Sequence, residues 1–135
     1  MMDLSLVNIW AVLLATAVTM VLGFLWYSPV LFGNAWMKRI EKSRDELSGG
    51  PMTYILTALT ALLGSIVLSL LLTMVNEPSI SSGLLVGLLI GIAVSVKIGM
   101  NYLFEGRTWG LYVITIGYHI VTFLLTGFII GAMQG

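Results

Sequence analysis

Hydrophobic positions in this chain neither alternate nor recur at wide spacing; they run on. Leu4–Tyr27, Met52–Val75, Gly83–Phe104 and Trp109–Met133 are apolar stretches whose ionisable side chains, tyrosines aside, are Lys97 and His119. A helix rises about 1.5 Å per residue and needs roughly 20 residues to cross a ~30 Å hydrocarbon core, so each stretch is long enough to span. The pattern predicts an all-α integral membrane protein. Four transmembrane helices form one bundle, a single transmembrane domain over residues 1–135. The first stretch is too long for the apolar part of a secretory signal, and Met1–Ser5 carries no basic residue, so it reads as a permanent span.

The polar breaks are short. Pro29 disfavours helix at Ser28, so the first span should end or kink there. Beyond it Phe32, Trp36 and Ile40 recur every four residues, opposite Asn34, Lys38, Arg39 and Lys42. That spacing predicts a short amphipathic helix in the membrane interface, over about residues 32–47. Ser43 and Glu46 have capping-box spacing, Ser48-Gly49-Gly50 is a hinge, and Pro51 suits the first position of the second span. Asn76–Ser82 reads as a tight turn. Glu105–Thr108 leaves room only for a hairpin, which makes spans three and four antiparallel neighbours.

Within the spans, small residues recur every fourth position. The third carries Gly83, Gly87, Gly91, Ser95 and Gly99, and the fourth ends with Gly127 and Gly131. The second has Thr57, Ala61, Ser65, Ser69 and Thr73, and the first Ala11, Ala15, Thr19 and Gly23. Lipid tails are as apolar as leucine, so helices associate there by close backbone approach, which such stripes permit. Two uses stay open: packing inside the bundle, or a glycine zipper between protomers of a homo-oligomer.

The polar residues inside the spans can be placed by depth. With Trp109 as the boundary, His119 lies roughly 15 Å in, near the midplane. Tyr112, Thr115, His119, Thr122 and Thr126 follow three-four-three-four spacing, one polar stripe along the fourth span. Lys97 lies about 10 Å inside the same boundary, and its Cα–Cβ bond tilts toward the bilayer interior. A charge there costs ~2.5–3.5 kcal/mol on insertion scales, so it needs partners. Asn101 and Glu105 follow Lys97 at intervals of four, while Tyr112 is level with Asn101 and Thr115 with Lys97. This ordering predicts a ligand or proton path of Glu105, Asn101/Tyr112, Lys97/Thr115 and His119, with Arg107 at its mouth. The competing reading makes the same residues structural, since threonines can bond to their own helix backbone.

Composition narrows the partners. The chain is 59% hydrophobic and 9% charged, with a mean hydropathy of +1.04, so no soluble domain fits beside the spans. Zero net charge gives no basis for a nucleic-acid partner, and the absence of cysteine removes disulfides and thiolate sites. All six basic residues collect on one side: Lys38, Arg39, Lys42 and Arg44 in the first loop, Arg107 in the third, and Lys97 near that end. The positive-inside rule then places those loops in the cytoplasm and both termini outside. Trp26, Tyr27, Trp36 and Trp109 mark the same interface and would wall a site there. Lys38, Arg39, Lys42 and Arg44 would face anionic lipid head groups. One His, one intramembrane Lys and no intramembrane carboxylate make a poor metal site, and no nucleophile elbow or phosphate loop is present. No catalytic residue, metal or cofactor is expected, which leans away from an enzyme.

Two segments carry a resemblance. Gly23-Phe24-Leu25-Trp26-Tyr27-Ser28-Pro29-Val30-Leu31-Phe32-Gly33-Asn34-Ala35-Trp36-Met37 closes the first span. Asn101-Tyr102-Leu103-Phe104-Glu105-Gly106-Arg107-Thr108-Trp109 joins the third and fourth, followed by Gly117-Tyr118-His119. Together they resemble a family of small, mostly bacterial membrane proteins catalogued as domain of unknown function 1761. That family usually has Pro where this chain has Thr108. The resemblance implies four spans in a bacterial inner membrane and lends no activity or catalytic residue. The functional expectation is a small oligomeric transport, channel or ligand-binding protein, with a polar cytoplasmic-side cavity between spans three and four. The alternative is a membrane scaffold or accessory subunit acting through small-residue packing.

Overall fold

The computed structural model describes residues 3–40 and 50–134. After a single 3-10 turn at Leu4–Leu6 come helices α1 (Ile9–Trp26), α2 (Gly33–Ile40), α3 (Gly50–Thr73), α4 (Ile80–Glu105) and α5 (Trp109–Gln134). Four of these, α1, α3, α4 and α5, are long and apolar enough to cross a membrane, which makes the chain a multi-pass membrane protein.

Local chemistry sets the ends. The Asn8 side chain accepts from the Trp10 and Ala11 amides at 3.0 and 3.2 Å, so α1 starts later than the apolar run at Leu4 suggests. It stops at Trp26, ahead of Pro29, and the chain doubles back: the Phe32 amide bonds the Trp26 carbonyl at 2.9 Å and the Gly33 amide the Ser28 carbonyl at 2.8 Å. Gly33 is required in this turn because a Cβ would run into the Tyr27 carbonyl. The amphipathic spacing after Phe32 does form a helix, Gly33–Ile40. Lys42, Arg44, the Ser43/Glu46 capping pair and Ser48-Gly49 lie outside the described residues. α4 begins at Ile80, three residues before the expected Gly83, because Ser79 and Ser82 cap each other reciprocally. It ends on Gly106 in the left-handed region, φ 69°.

α4 and α5 form the longest seam, and glycines make it possible. A Cβ on Gly83 would strike the Gly127 carbonyl oxygen, one on Gly87 the Phe123 carbonyl oxygen, and one on Gly131 the Ser79 carbonyl oxygen. Gly91 faces the Ile120 Cα and Gly99 the Tyr112 hydroxyl. The buried face of α4 is Gly83, Gly87, Gly91 and Ser95, so this stripe meets α5 of the same chain.

Against that pair α1 and α3 pack less evenly. The core joins Ala11 and Ala15 of α1 to Leu68 and Leu72 of α3 and Ile130 of α5, with Phe123 and Ile90 against it. All of these α3 residues are in its second half. Between Pro51 and Thr60, Ala58 alone among α3 residues is more than marginally covered. α3 is therefore held near the chain termini, here the terminal end, and stands away at the other, here the basic end.

A side-chain clamp secures the terminal end. The Gln134 carbonyl oxygen accepts from the Ser69 hydroxyl at 2.6 Å and the Asn8 amide at 3.2 Å, and its amide nitrogen donates to the Ser69 carbonyl at 3.0 Å. Asn8 Nδ2 donates to the Met133 carbonyl at 3.1 Å, and the Asp3 amide to Thr73 Oγ1 at 3.0 Å. α1, α3 and α5 are thus tied together by side-chain bonds at their terminal ends.

Candidate functional site

A hydroxyl-lined cavity surrounds His119. Where α3 stands away from α1 and α5, a cavity of about 330 Å³ remains. Thr57, Thr60, Ala61, Gly64 and Ser65 form its α3 wall, Thr19 and Met20 its α1 wall, and Tyr118, His119, Thr122, Phe123 and Thr126 its α5 wall, with Val94 the contribution of α4. Each helix brings side chains of one face because Thr57/Thr60/Ala61/Gly64 and His119/Thr122/Phe123/Thr126 follow i, i+3, i+4, i+7 spacing. Small residues leave the space that Leu at the same positions would fill.

The wall is uncharged, apart from whatever proton His119 carries, and its hydroxyls differ in how they are occupied. Thr57, Thr60 and Thr122 donate to the Thr53, Thr57 and His119 carbonyls at 2.8, 2.7 and 3.0 Å. Tyr118 donates to the Thr19 carbonyl at 3.1 Å. Ser65 and Thr126, 2% and 4% exposed, have no hydrogen-bond partner among the described residues, and neither does the His119 imidazole. Among the described residues no fully buried side-chain nitrogen or oxygen is left unpaired, so these three groups are open to the cavity, where an occupant can bond them.

Aromatic packing ties α1, α2 and α5 together at the basic end. The Tyr118 hydroxyl sits over Gly23 of α1, where a Cβ would come within 2.8 Å, and the Trp26 ring sits over Gly117 of α5, where it would come within 2.9 Å. Trp26 Nε1 donates to the Ile114 carbonyl at 2.9 Å. Phe32 stacks on Trp26 with ring centroids 4.7 Å apart, Trp36 on Tyr27 at 4.7 Å, and Tyr27 on Tyr118 at 5.5 Å. The two segments that carry the family resemblance therefore interlock ring into glycine.

The residues expected to form one path divide three ways. His119 lines the cavity. Thr115 bonds Tyr102 at 3.0 Å, and Tyr112 donates to the Ser95 carbonyl at 2.8 Å, both at the α4–α5 seam. Lys97 and Asn101 are exposed and have no hydrogen bond among the described residues. Lys97 lies two positions past Ser95, about 200° around the helix from the buried stripe, so equal depth does not bring it to Thr115. Glu105 pairs with Arg107 at 3.3 Å across the hairpin, 49% and 43% exposed respectively, and Arg107 lies over the Tyr102 ring at 5.8 Å. The order Glu105–Asn101–Lys97–His119 is thus not joined into a chain. Trp26, Tyr27 and Trp36 do form a wall, whereas Trp109 is 74% exposed beside Tyr112.

A polar space was expected between spans three and four, where the glycine seam fills part of the interface. At the basic end of that interface lies a groove of about 450 Å³, lined by Tyr102, Arg107, Thr108, Trp109 and Tyr112 with Val96, Met100 and Leu103. The His119 cavity is a separate space, on the other side of α5. Ser65 was visible in the sequence only as a small residue of a packing stripe, and Gln134 stood in a two-residue tail. Thr122 and Thr126 were visible, through their spacing with His119. Among the described residues no three His, Asp or Glu side chains are grouped to hold a metal.

Comparison with known proteins gives a family match. Residues 10–131 fit the model of a family described as protein of unknown function (DUF1761). No curated protein and no solved structure matches the chain.

Proposed function

The chain belongs to the family described as protein of unknown function (DUF1761), and we propose that it is a small-ligand-binding or transport protein whose site is the His119 cavity. One observation carries the reading. An otherwise apolar bundle leaves the Ser65 and Thr126 hydroxyls and the half-buried His119 imidazole without hydrogen-bond partners among the described residues, all three lining about 330 Å³ of space. That volume is at the lower end for small-molecule sites. A lipid acyl chain in the same space would leave all three unpaired, which costs free energy in a membrane.

The protein sits in a bacterial inner membrane with both termini outside. The charge pattern supports this, since Lys38, Arg39 and Arg107 all lie at the basic end. α2 then lies in the cytoplasmic interface, with Lys38 exposed toward anionic head groups and Arg39 turned over Gly110 at the start of α5. In that orientation the cavity opens toward the cytoplasmic half.

The test is access. With the chain in nanodiscs, Thr60→Cys should react with a charged maleimide while Leu89→Cys, on the exposed apolar side of α4 and away from both cavities, should not. Equal inertness of the two would end the reading, and sided labelling in sealed vesicles decides the orientation.

A second reading has one observation in its favour. Lys97 and Asn101 are exposed on α4 without hydrogen bonds, which suits a scaffold or accessory subunit with a polar partner on that face. The glycine stripe gives no support to it, being occupied within the chain.

A further inference from the structure

The hydroxyls around His119 are unequal, and the inequality selects a chemical class. Thr57, Thr60, Thr122 and Tyr118 have given their protons to backbone carbonyls at 2.8, 2.7, 3.0 and 3.1 Å. Each hydroxyl has one proton and two lone pairs, so toward the cavity these four can only accept. Thr19, Ser65 and Thr126 keep free hydroxyls, and a neutral imidazole offers one donor and one acceptor. The wall is therefore richer in acceptors than in donors, and it holds no carboxylate, lysine or arginine.

Each ligand class can be weighed against that wall. A carboxylate or phosphate would bring only acceptors to a mainly accepting surface and would bury a charge with no counter-charge, which is the costliest outcome. A metal or ammonium ion would find oxygens but, again, no counter-charge below the membrane interface. A hydrocarbon would strand Ser65, Thr126 and His119. What remains is a small neutral molecule carrying several O–H or N–H donors.

We propose that the His119 cavity binds a small uncharged solute carrying several O–H or N–H donors, of the polyol or primary-amide class, and that it excludes anions. This rests on the ligand-binding reading above, and adds to it the class of ligand. Discrimination of this kind is strong where a site is built of buried polar groups, because a molecule lacking the matching donors leaves them unpaired.

His119 is the single histidine of the chain, so its imidazole gives an unambiguous nuclear magnetic resonance signal. The experiment titrates the full-length protein in nanodiscs with glycerol, acetamide, methylammonium, acetate and phosphate in turn, following that signal. Saturable shifts with glycerol or acetamide, and none with acetate or phosphate, are expected. Ser65→Ala and Thr126→Val should each weaken binding about fivefold, the usual effect of one lost hydrogen bond. Should either variant fold poorly, the order of the solutes on the unaltered chain still decides. Saturation by acetate, phosphate or methylammonium in preference to the neutral donors would overturn the class while leaving a ligand site in place. No response to any solute in a protein whose Thr60→Cys reacts would overturn the class as well. No response combined with an inert Thr60→Cys would instead remove the site altogether.

Discussion

Gly87→Ala adds one methyl group where two helix backbones touch. Its Cβ would collide with the Phe123 carbonyl oxygen and come within 2.9 Å of the carbonyl carbon and 3.4 Å of the Leu124 nitrogen. Carbon atoms prefer about 3.5–4.0 Å, so the seam has to widen by at least ~0.5 Å at this level. A radial gap of ~0.5–1 Å forfeits a quarter to a half of each dispersion contact beside it. Because both obstacles are backbone, no rotamer change relieves them. Because lipid supplies no hydrophobic drive, nothing replaces the lost contacts. The expected cost is about 1–3 kcal/mol, the usual range for an overpacked site. Gly64→Ala is the matched control: its Cβ would meet only the Phe123 ring edge at an ordinary 3.8 Å. There the gain in helix propensity should leave stability unchanged or raise it by up to about 1 kcal/mol. Equilibrium unfolding in mixed micelles reads both. Gly87→Ala as stable as the parent, or Gly64→Ala equally damaging, would refute the account of the seam.

Three further substitutions probe other parts of the molecule. Gln134→Leu breaks the clamp to Ser69 and Asn8 and should cost about 1–3 kcal/mol, with the Asn8 amide losing hydrogen-exchange protection; an unchanged Asn8 amide would contradict it. Lys97→Leu removes an exposed cation from a spanning face and should stabilise the chain in a bilayer, by no more than the ~2.5–3.5 kcal/mol of insertion scales, with solute binding at His119 unaltered. Destabilisation would instead reveal a partner on that face. At the terminal end, the Ser5 hydroxyl and then its amide hold the Asp3 carboxyl below the usual aspartate range. A depressed folded pKa stabilises above the unfolded value and loses that effect as pH falls through the folded one, so the 3-10 turn should loosen in acid. Ser5→Ala should raise the Asp3 pKa measured by carboxyl resonance, and an unmoved value would refute the assignment.

The sequence reached the spans more securely than the site, and particular residues show why. Apolar length alone located α1, α3, α4 and α5, because a bilayer permits almost no other answer. Misplaced ends trace to short side chains acting locally: Asn8 delayed α1, and the Ser79/Ser82 pair advanced α4. Depth was legible, since rise per residue is fixed. Azimuth was not. Lys97 and Thr115 sit level, yet Lys97 turns away because the glycine stripe, two positions off, claims the face toward α5. A one-dimensional reading had no means to decide which stripe of α4 would win. The decisive term is the close backbone approach that only Gly83, Gly87 and Gly91 allow.

That same approach explains why a polar cavity exists beside α5 at all. α5 has one face committed to α4, where carbonyls and glycines meet with no slack. Its other face carries His119, Thr122 and Thr126 and meets α3, whose share of the apolar core is Leu68 and Leu72 in its second half. Tight packing on one side fixes the position of His119, while weak packing on the other leaves room beside it. Were α3 to close along its whole length, Thr57 and Thr60 would press on Tyr118 and His119 with their hydroxyls already spent on carbonyls, and Ser65 and Thr126 would still lack partners. Closure would thus bury polar groups without pairing them, a cost that open space filled by a hydrogen-bonding solute avoids. The gap at the basic end of α3 follows from the residues that line it.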